Sequence, residues 1–194
     1  MTILLTDVDE VLFKWAAVFE RWIREHKGYN PSNSITDVYR VEKWLNLSKD
    51  EGEALLQEFN SKNEAFGNLE PYADATDYVP RISQLGYSFI AITACPNDPV
   101  TEERRRKNIE KHFPGVFKGL FCVGVGGSKL ETLQKFNTTY WVEDSLKHAI
   151  VGAELGHKSL LINRPHNIEH AVPTNILRVN GWHEIYDIVA TQKI

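Results

Sequence analysis

Cysteine is scarce in this sequence: Cys95 and Cys122 are the two among 194 residues, too few for a disulfide framework. Both fall in or beside runs that read as buried strands, where a reduced thiol is the ordinary state. Excess positive charge is lacking as well. Lysine and arginine number 22 against 26 acids, for a net charge of −4. No overall basic field gathers nucleic acid or an anionic membrane, and neither is expected as a partner. No apolar run approaches the roughly 18 residues of a membrane span, and Met1–Thr6 has no basic region of the kind that opens a secretory signal. The expectation is a cytoplasmic protein. Internal repeats, low-complexity tracts and flexible linkers are also missing.

What is there suffices for a core. Hydrophobic residues make up 42% of the chain and include five Trp, which fits one domain, or one domain carrying an insertion. Ile3–Thr6 is a short apolar run ending in Asp7-Val8-Asp9, the pattern of a buried parallel strand that delivers two acids at its C-terminal end. From Trp15 the spacing changes: Trp15, Val18, Phe19, Trp22, Ile23 and His26 mark one helical face, closed by Gly28 and Pro31. Ser48-Lys49-Asp50-Glu51 has the form of a capping box, and Leu55, Leu56 and Phe59 behind it predict another helix to about Asn63. The next strand is Tyr87–Thr93. A plain strand–helix–strand unit closes in roughly 30 residues, whereas about 80 intervene here. A helical insertion over residues 14–71 accounts for the surplus and leaves 1–13 and 72–194 as the core domain. Strands at Leu120–Val123, Thr139–Glu143 and Lys158–Ile162 then alternate with helices. Those helices are Ala73–Leu85, one opening at Asp98-Pro99, Lys129–Phe136, Leu146–Leu155 and Trp182–Ala190. Such alternation predicts an α/β, Rossmann-like parallel sheet with helices on both faces.

In open α/β sheets ligands bind beyond the carboxyl ends of the strands. The polar residues at those ends are Asp7 and Asp9, Thr93, Lys129 after the glycine-rich Val123–Gly127 segment, and Glu143-Asp144. Together they suit a phosphate and a divalent cation. Hard oxygen ligands select Mg²⁺, and Asp7, Asp144 and the backbone carbonyl of Asp9 would suffice to hold it. One carboxylate can then attack phosphorus in line, dividing a hard hydrolysis into two easier steps. The second acid, two residues on, can protonate the leaving alkoxide and later activate water. The Thr93 hydroxyl and the Ala94 amide can bind the phosphoryl oxygens, and Lys129 supplies compensating charge.

Asp7-Val8-Asp9-Glu10-Val11-Leu12, Ile92-Thr93-Ala94, Lys129 and Val142-Glu143-Asp144 resemble the four motifs of the haloacid dehalogenase-like phosphatases. The insertion after the first motif looks like that superfamily's first type of cap. Phe59–Asn63, Leu69-Glu70-Pro71, Ile109–Gly115 and Gly181–Ile185 are similar to stretches of the 5'(3')-deoxyribonucleotidases. The resemblance implies Asp7 as nucleophile, Asp9 as general acid/base, and Thr93 and Lys129 as phosphate ligands. It places Mg²⁺ on Asp7, the Asp9 carbonyl and Asp144, with Glu143 in the outer shell, and implies a deoxynucleoside monophosphate as substrate. Trp15 stands where the family keeps an aromatic facing the base. Trp44, Phe59 and Phe66 are further candidates for stacking, with packing inside the insertion as the alternative. A homodimer is compatible with the sequence. Two departures stand out: Glu10 replaces a usual Gly, and Glu143 replaces the first Asp of the usual acid pair. The rival readings are a phosphatase for sugar, metabolite or polynucleotide 3'-phosphates, and a non-catalytic binding protein on the same scaffold.

Other features carry blander readings. His166-Asn167-Ile168-Glu169-His170 matches a zinc-protease motif, but Pro165 and Pro173 leave little room for its helix, so a polar surface loop is expected. Gly124–Lys129 lacks the Gly-Lys-Ser/Thr order of a nucleotide P-loop and reads as a turn delivering Lys129. Cys95 lacks the arginine a thiolate phosphatase needs six residues on, where Thr101 stands. Arg104-Arg105-Arg106-Lys107 reads as a solvated helix face paired with Glu102, Glu103 and Glu110.

Overall fold

Six short apolar stretches pair in parallel as one sheet in the order β3-β2-β1-β4-β5-β6. They are β1 Thr2–Thr6, β2 Tyr87–Thr93, β3 Phe117–Cys122, β4 Tyr140–Glu143, β5 Lys158–Ile162 and β6 Ile176–Val179. The computed structural model describes residues 2–37, 40–62 and 64–191. Asn63, the expected end of a helix, and the extreme ends of the expected core range, Met1 and 192–194, lie outside the described residues. The helices are α1 Trp15–His26, α2 Val41–Leu45, α3 Lys49–Lys62, α4 Ala73–Gln84, α5 Pro99–His112, α6 Leu130–Leu133, α7 Leu146–Glu154 and α8 Trp182–Thr191. None among the described residues is long and apolar enough to cross a membrane.

Strand period decides which helices cover which face. Leu4, Phe89, Ala91, Tyr140 and Val142 pack into the larger core with Val79 of α4, Ile109 of α5 and Ile185 of α8. Their chain neighbours Leu5, Ile90, Ile92 and Trp141 point the other way, onto Leu133 of α6 and Val151 of α7. Both faces are therefore dry, as a parallel sheet requires.

Several local readings hold. Asp98 caps α5 by accepting from the amides of Val100 and Thr101 at 3.1 and 3.0 Å, with Pro99 in the first turn. Ser48 and Glu51 exchange the two bonds of a capping box at 2.9 and 3.3 Å. Others need correction. β6 and α2 carry too few apolar residues to announce themselves, and β3 begins at Phe117, three residues before its expected start. The helix expected over Lys129–Phe136 is only the four residues of α6.

Between β1 and α4 the chain makes α1, α2, α3 and a 3₁₀ turn at Glu64–Asn68. Phe19, Trp22, Phe59 and Phe66 are buried there, with Phe59 touching the other three rings at centroid distances of 5.2 to 6.1 Å. The outgoing and returning segments run side by side: the Lys14 amide donates to Glu70 O and the Tyr72 amide to Leu12 O, at 2.8 and 2.9 Å.

Gly152 of α7 lies against the sheet. A Cβ there would sit 2.3 Å from Trp141 Cδ1 and 2.8 Å from Ser159 Oγ. Alanine outdoes glycine in a helix by about 1 kcal/mol, but this overlap must move a buried ring. Gly152→Ala is expected to lower unfolding free energy by about 1–3 kcal/mol in urea titration; a stabilised variant would contradict the packing described.

Candidate active site

The order of the sheet puts β1 between β2 and β4. The chain runs from β1 out to β2 and β3 on one side and only then crosses back from β3 to β4 on the other, so loops part at β1 and open a crevice at the carboxyl ends of these strands. The register pairs Thr6 with Ala91 on one side and Val142 on the other, so residues just beyond Thr6, Ala91 and Val142 meet. They line one cavity of about 280 Å³ that includes Asp7, Asp9, Thr93, Ala94, Lys129, Glu143 and Asp144. All of the expected catalytic and phosphate-binding positions are thus brought together.

Lys129 is the hub. A turn closed by the Gly127 amide on Gly124 O, at 3.0 Å, leads into it. Its ammonium donates to Asp7 Oδ1 at 2.6 Å and to Glu143 Oε2 at 2.7 Å, with all three side chains buried. Burial pushes the Asp7 carboxyl up to about 7; Lys129 draws it back while Glu143 and Asp9 add to the rise. Glu143 also rises to about 7, through burial first and Asp144 second, against the pull of Lys129. Burial works against the charged form of Lys129, yet the two carboxylates hold its pKa above the usual lysine value.

Asp7, Glu143 and Asp144 each offer a carboxylate oxygen, and these lie within 4.8 Å of one another. Three buried carboxylates whose pKa values are all raised, desolvation being the largest cause at each, mark a position short of positive charge. That donor set fits a divalent cation of the Mg²⁺ type. Glu143, expected at the periphery, is a full member of the cluster. On the phosphate side, the buried Thr93 hydroxyl has no partner beyond the weakly bonding Cys95 thiol, so an acceptor for it is wanting.

Two corrections concern residues read as solvent-facing. Arg105 is fully buried, and its Nη2 donates to both oxygens of Asp9, at 2.8 and 2.9 Å. Arg106 and Lys107 behave as expected, pairing with Glu102 and Glu103 at 2.5 and 3.5 Å. The signal for Arg105 was the poverty of its helix: Thr101, Arg105, Asn108 and Ile109 form the buried face of α5, so polar side chains must fill it. His166 is buried too, with Nε2 2.8 Å from Asp144 Oδ2. Burial disfavours its charged form, but Asp144 outweighs that and raises its pKa. Asn167 beside it donates to Asp144 O and Ile162 O at 2.7 and 2.8 Å. The segment is a series of turns rather than a zinc-binding helix, and it buttresses the acid it covers. His148 also lines the cavity, its pKa lowered to about 3 by burial and by Lys129 and Lys147.

Glu10 has a structural explanation. It adopts φ 58°, the left-handed conformation that a glycine would take without strain. In return its carboxylate accepts from the Ala16 amide at 2.8 Å and from the Tyr72 hydroxyl at 2.7 Å. No side chain at Lys14 caps α1, so Glu10 supplies the missing acceptor and negative charge.

Of the four aromatic candidates only Trp15 lines the cavity, with Leu56 and Asn60. Phe59 and Phe66 are fully buried among other rings, and Trp44 packs near Phe19 with its indole nitrogen on Asn33 O. Those three serve packing.

The family model described as 5' nucleotidase, deoxy (pyrimidine), cytosolic type C protein matches residues 1–194. The chain belongs to this family. It is a haloacid dehalogenase-like phosphatase, a phosphoric monoester hydrolase. An uncharacterized 32.4 kDa protein of Enterobacteria phage T4 is 23% identical to this phosphatase over 94% of the chain and 67% of its own length. Among solved structures, a haloacid dehalogenase-like hydrolase from Streptococcus pneumoniae aligns with TM-score 0.64 at 17% identity, covering 99% of each chain. D,D-heptose 1,7-bisphosphate phosphatase from B. bronchiseptica, complexed with magnesium and phosphate, aligns with TM-score 0.60 at 10% identity, covering 98% of this chain and 99% of that one. These two share the fold of the phosphatase.

The buried acids make stability depend on pH. Folding raises Asp7 from 3.8 and Glu143 from 4.5 to about 7, so the folded state holds protons the unfolded state has released. That contribution is complete below the unfolded values and is lost as pH climbs through about 7. In chelator, the urea midpoint is expected to fall between about pH 5 and about pH 8, and a divalent cation to restore more at the higher pH, where its ligands are ionised. A flat profile, or equal restoration at both, would count against the cluster.

Proposed function

We propose that this phosphatase is Mg²⁺-dependent, resides in the cytoplasm, and releases phosphate from (deoxy)nucleoside monophosphates in the manner of a 5'(3')-deoxyribonucleotidase. The observation that carries the reading is one cavity lined both by the Lys129-bridged carboxylates and by Trp15. Residues 14–71 are proposed as the cap that closes over it, supported by the paired crossing segments at Lys14–Glu70 and Leu12–Tyr72.

Asp7 is the nucleophile: its carboxylate bonds to phosphorus as the bond to the leaving oxygen breaks, giving an aspartyl-phosphate. Asp9, whose side chain lines the same cavity and keeps 26% exposure, gives a proton to the leaving alkoxide and then takes one from the water that cleaves the intermediate. The Thr93 hydroxyl and the Ala94 amide receive the phosphoryl oxygens, and Lys129 adds positive charge beside them. Asp7 and Asp144, with the Asp9 carbonyl, would hold Mg²⁺, and Glu143 orients Lys129. Bound there, the ion would offset the repulsion between these carboxylates and the phosphate dianion. Trp15, fixed by its indole bond to Asn60 Oδ1 at 2.9 Å and by stacking on Phe19 at 4.8 Å, presents a rigid aromatic wall to a nucleobase.

Asp7→Asn is expected to abolish turnover, a loss of at least about 10⁴-fold in kcat, while the melting temperature stays at or above that of the parent because a buried acid is neutralised. Retained phosphate release would dismiss Asp7 as nucleophile. Substrate class is tested with a panel of phosphomonoesters in Mg²⁺. Deoxynucleoside monophosphates are expected to give kcat/KM at least about tenfold above sugar phosphates, the effect of one well-used contact. Sugar phosphates turned over equally well would reject the nucleotide assignment and leave the phosphatase chemistry standing.

A further inference from the structure

We propose that Arg105 is a positioning residue for proton transfer, fixing the Asp9 carboxylate where it faces the leaving group. The inference rests on the acid/base role proposed above for Asp9 and concerns how that role is secured.

Arg105 reaches the site from α5, which follows β2, and its side chain is fully buried. One nitrogen, Nη2, bonds both Asp9 oxygens, while Nε and Nη1 have no hydrogen-bond partner. The guanidinium carbon lies 4.0 Å from the centre of the Phe66 ring, which belongs to the 3₁₀ turn of the insertion. A buried ion pair with two idle donors is a poor device for stability, since apolar side chains of similar volume commonly do as well or better. What the pair does achieve is orientation. A carboxylate on a short side chain at the end of a strand has a free χ torsion, and a cation gripping both oxygens from beneath removes it. With both oxygens held by Arg105, the Asp9 side chain still keeps 26% exposure and lines the cavity. Phe66 holds the guanidinium in turn, so the insertion reports to the acid/base group through one ring.

The chemistry gives a selective readout. As the Asp7 oxygen bonds to phosphorus, the P–O bond to the leaving group breaks and its electron pair stays on the leaving oxygen. An alkoxide then needs the proton from Asp9, whereas nitrophenolate departs without one. First-turnover release of the leaving group would be measured in Mg²⁺ for a deoxynucleoside 5'-monophosphate, or the best alkyl monoester of the panel, and for p-nitrophenyl phosphate. The enzymes are the parent, Asp9→Asn, Arg105→Met and Arg105→Lys. Asp9→Asn is expected to slow the alkyl ester more than the nitrophenyl ester by about 100-fold, and Arg105→Met by about tenfold or more in the same direction. Arg105→Lys, which keeps a charge but loses the planar donor set, should fall between Arg105→Met and the parent. KM for both esters should change less than kcat.

If Asp9→Asn shows the selective defect and the Arg105 variants slow both esters equally, the positioning role is overturned and Arg105 is structural. If Asp9→Asn itself shows no selectivity, the acid/base reading fails first and this inference falls with it. Should Arg105→Met not fold, Arg105→Lys decides alone: a selective defect supports the proposal and an equal one refutes it.

Discussion

A single buried ammonium organises this molecule's chemistry. Lys129 lies between Asp7 and Glu143 at 2.6 and 2.7 Å, and without it these two members of a cluster of three carboxylates within 4.8 Å of one another would have no cation at bonding distance. The arrangement explains why the site is assembled from strand ends. Desolvating charges costs several kcal/mol apiece, and only a backbone already fixed by ladder bonds on both sides holds such groups at bonding distance without further movement. β1 provides that frame because β2 and β4 flank it, and the Asp7 amide extends the ladder by donating to Val142 O at 2.9 Å.

Around that centre each acid has its own cation. Lys129 serves Asp7 and Glu143, Arg105 serves Asp9, and His166 serves Asp144. Every one of the three comes from a segment outside β1 and β4. Lys129 follows the glycine-rich turn, Arg105 belongs to α5, and His166 belongs to the turns after β5. The site is therefore a meeting of loops on a rigid sheet, and loss of any one cation leaves a particular carboxylate without compensation rather than weakening the cluster evenly.

This distribution explains what was legible in the sequence. Asp7, Asp9, Thr93, Lys129, Glu143 and Asp144 stand at the ends of apolar runs, so period and order announce both the strands and the residues they carry. Arg105 and His166 have no such marker. Arg105 was hidden in a run of four basic residues of which Arg106 and Lys107 do face solvent while Arg104 is half-buried and donates to Ser61 O at 3.0 Å, and only the shortage of apolar residues on α5 betrayed a polar buried face. His166 sits between prolines in a segment whose polarity reads as exposure, and its burial follows from tertiary contact with Asp144. The aromatic residues of the insertion were ambiguous for the same reason. Spacing put Trp15 and Phe59 on apolar faces, but which ring borders the cavity depends on how the helices pack across one another. β6 went unseen because its four residues include the exposed Leu177 and Arg178, which pairs with Asn163, Asn167 and His170.

Glu10 shows how Asp9 and the segment between β1 and α4 are mechanically joined. Its backbone sits in the turn that carries Asp9, where Leu12 and Phe13 donate back to Val8 O and Trp182 Nε1 donates to Val11 O. Its side chain holds the first turn of α1 and the Tyr72 hydroxyl on the returning segment, and its carbonyl accepts from Arg164 at 2.6 Å. A glycine in that position would relax the backbone strain and cut all of the side-chain ties. With glutamate, any tilt of α1 that moves Trp15 also pulls on the residue next to Asp9. Arg105 and Phe66 form a second tie, this one to the Asp9 carboxylate itself. Asp9 is thus tied twice to the segment between β1 and α4 that borders the cavity. The placement of Trp15 and the orientation of Asp9 therefore cannot vary independently, because both are tied to Glu10 and to the segment between β1 and α4.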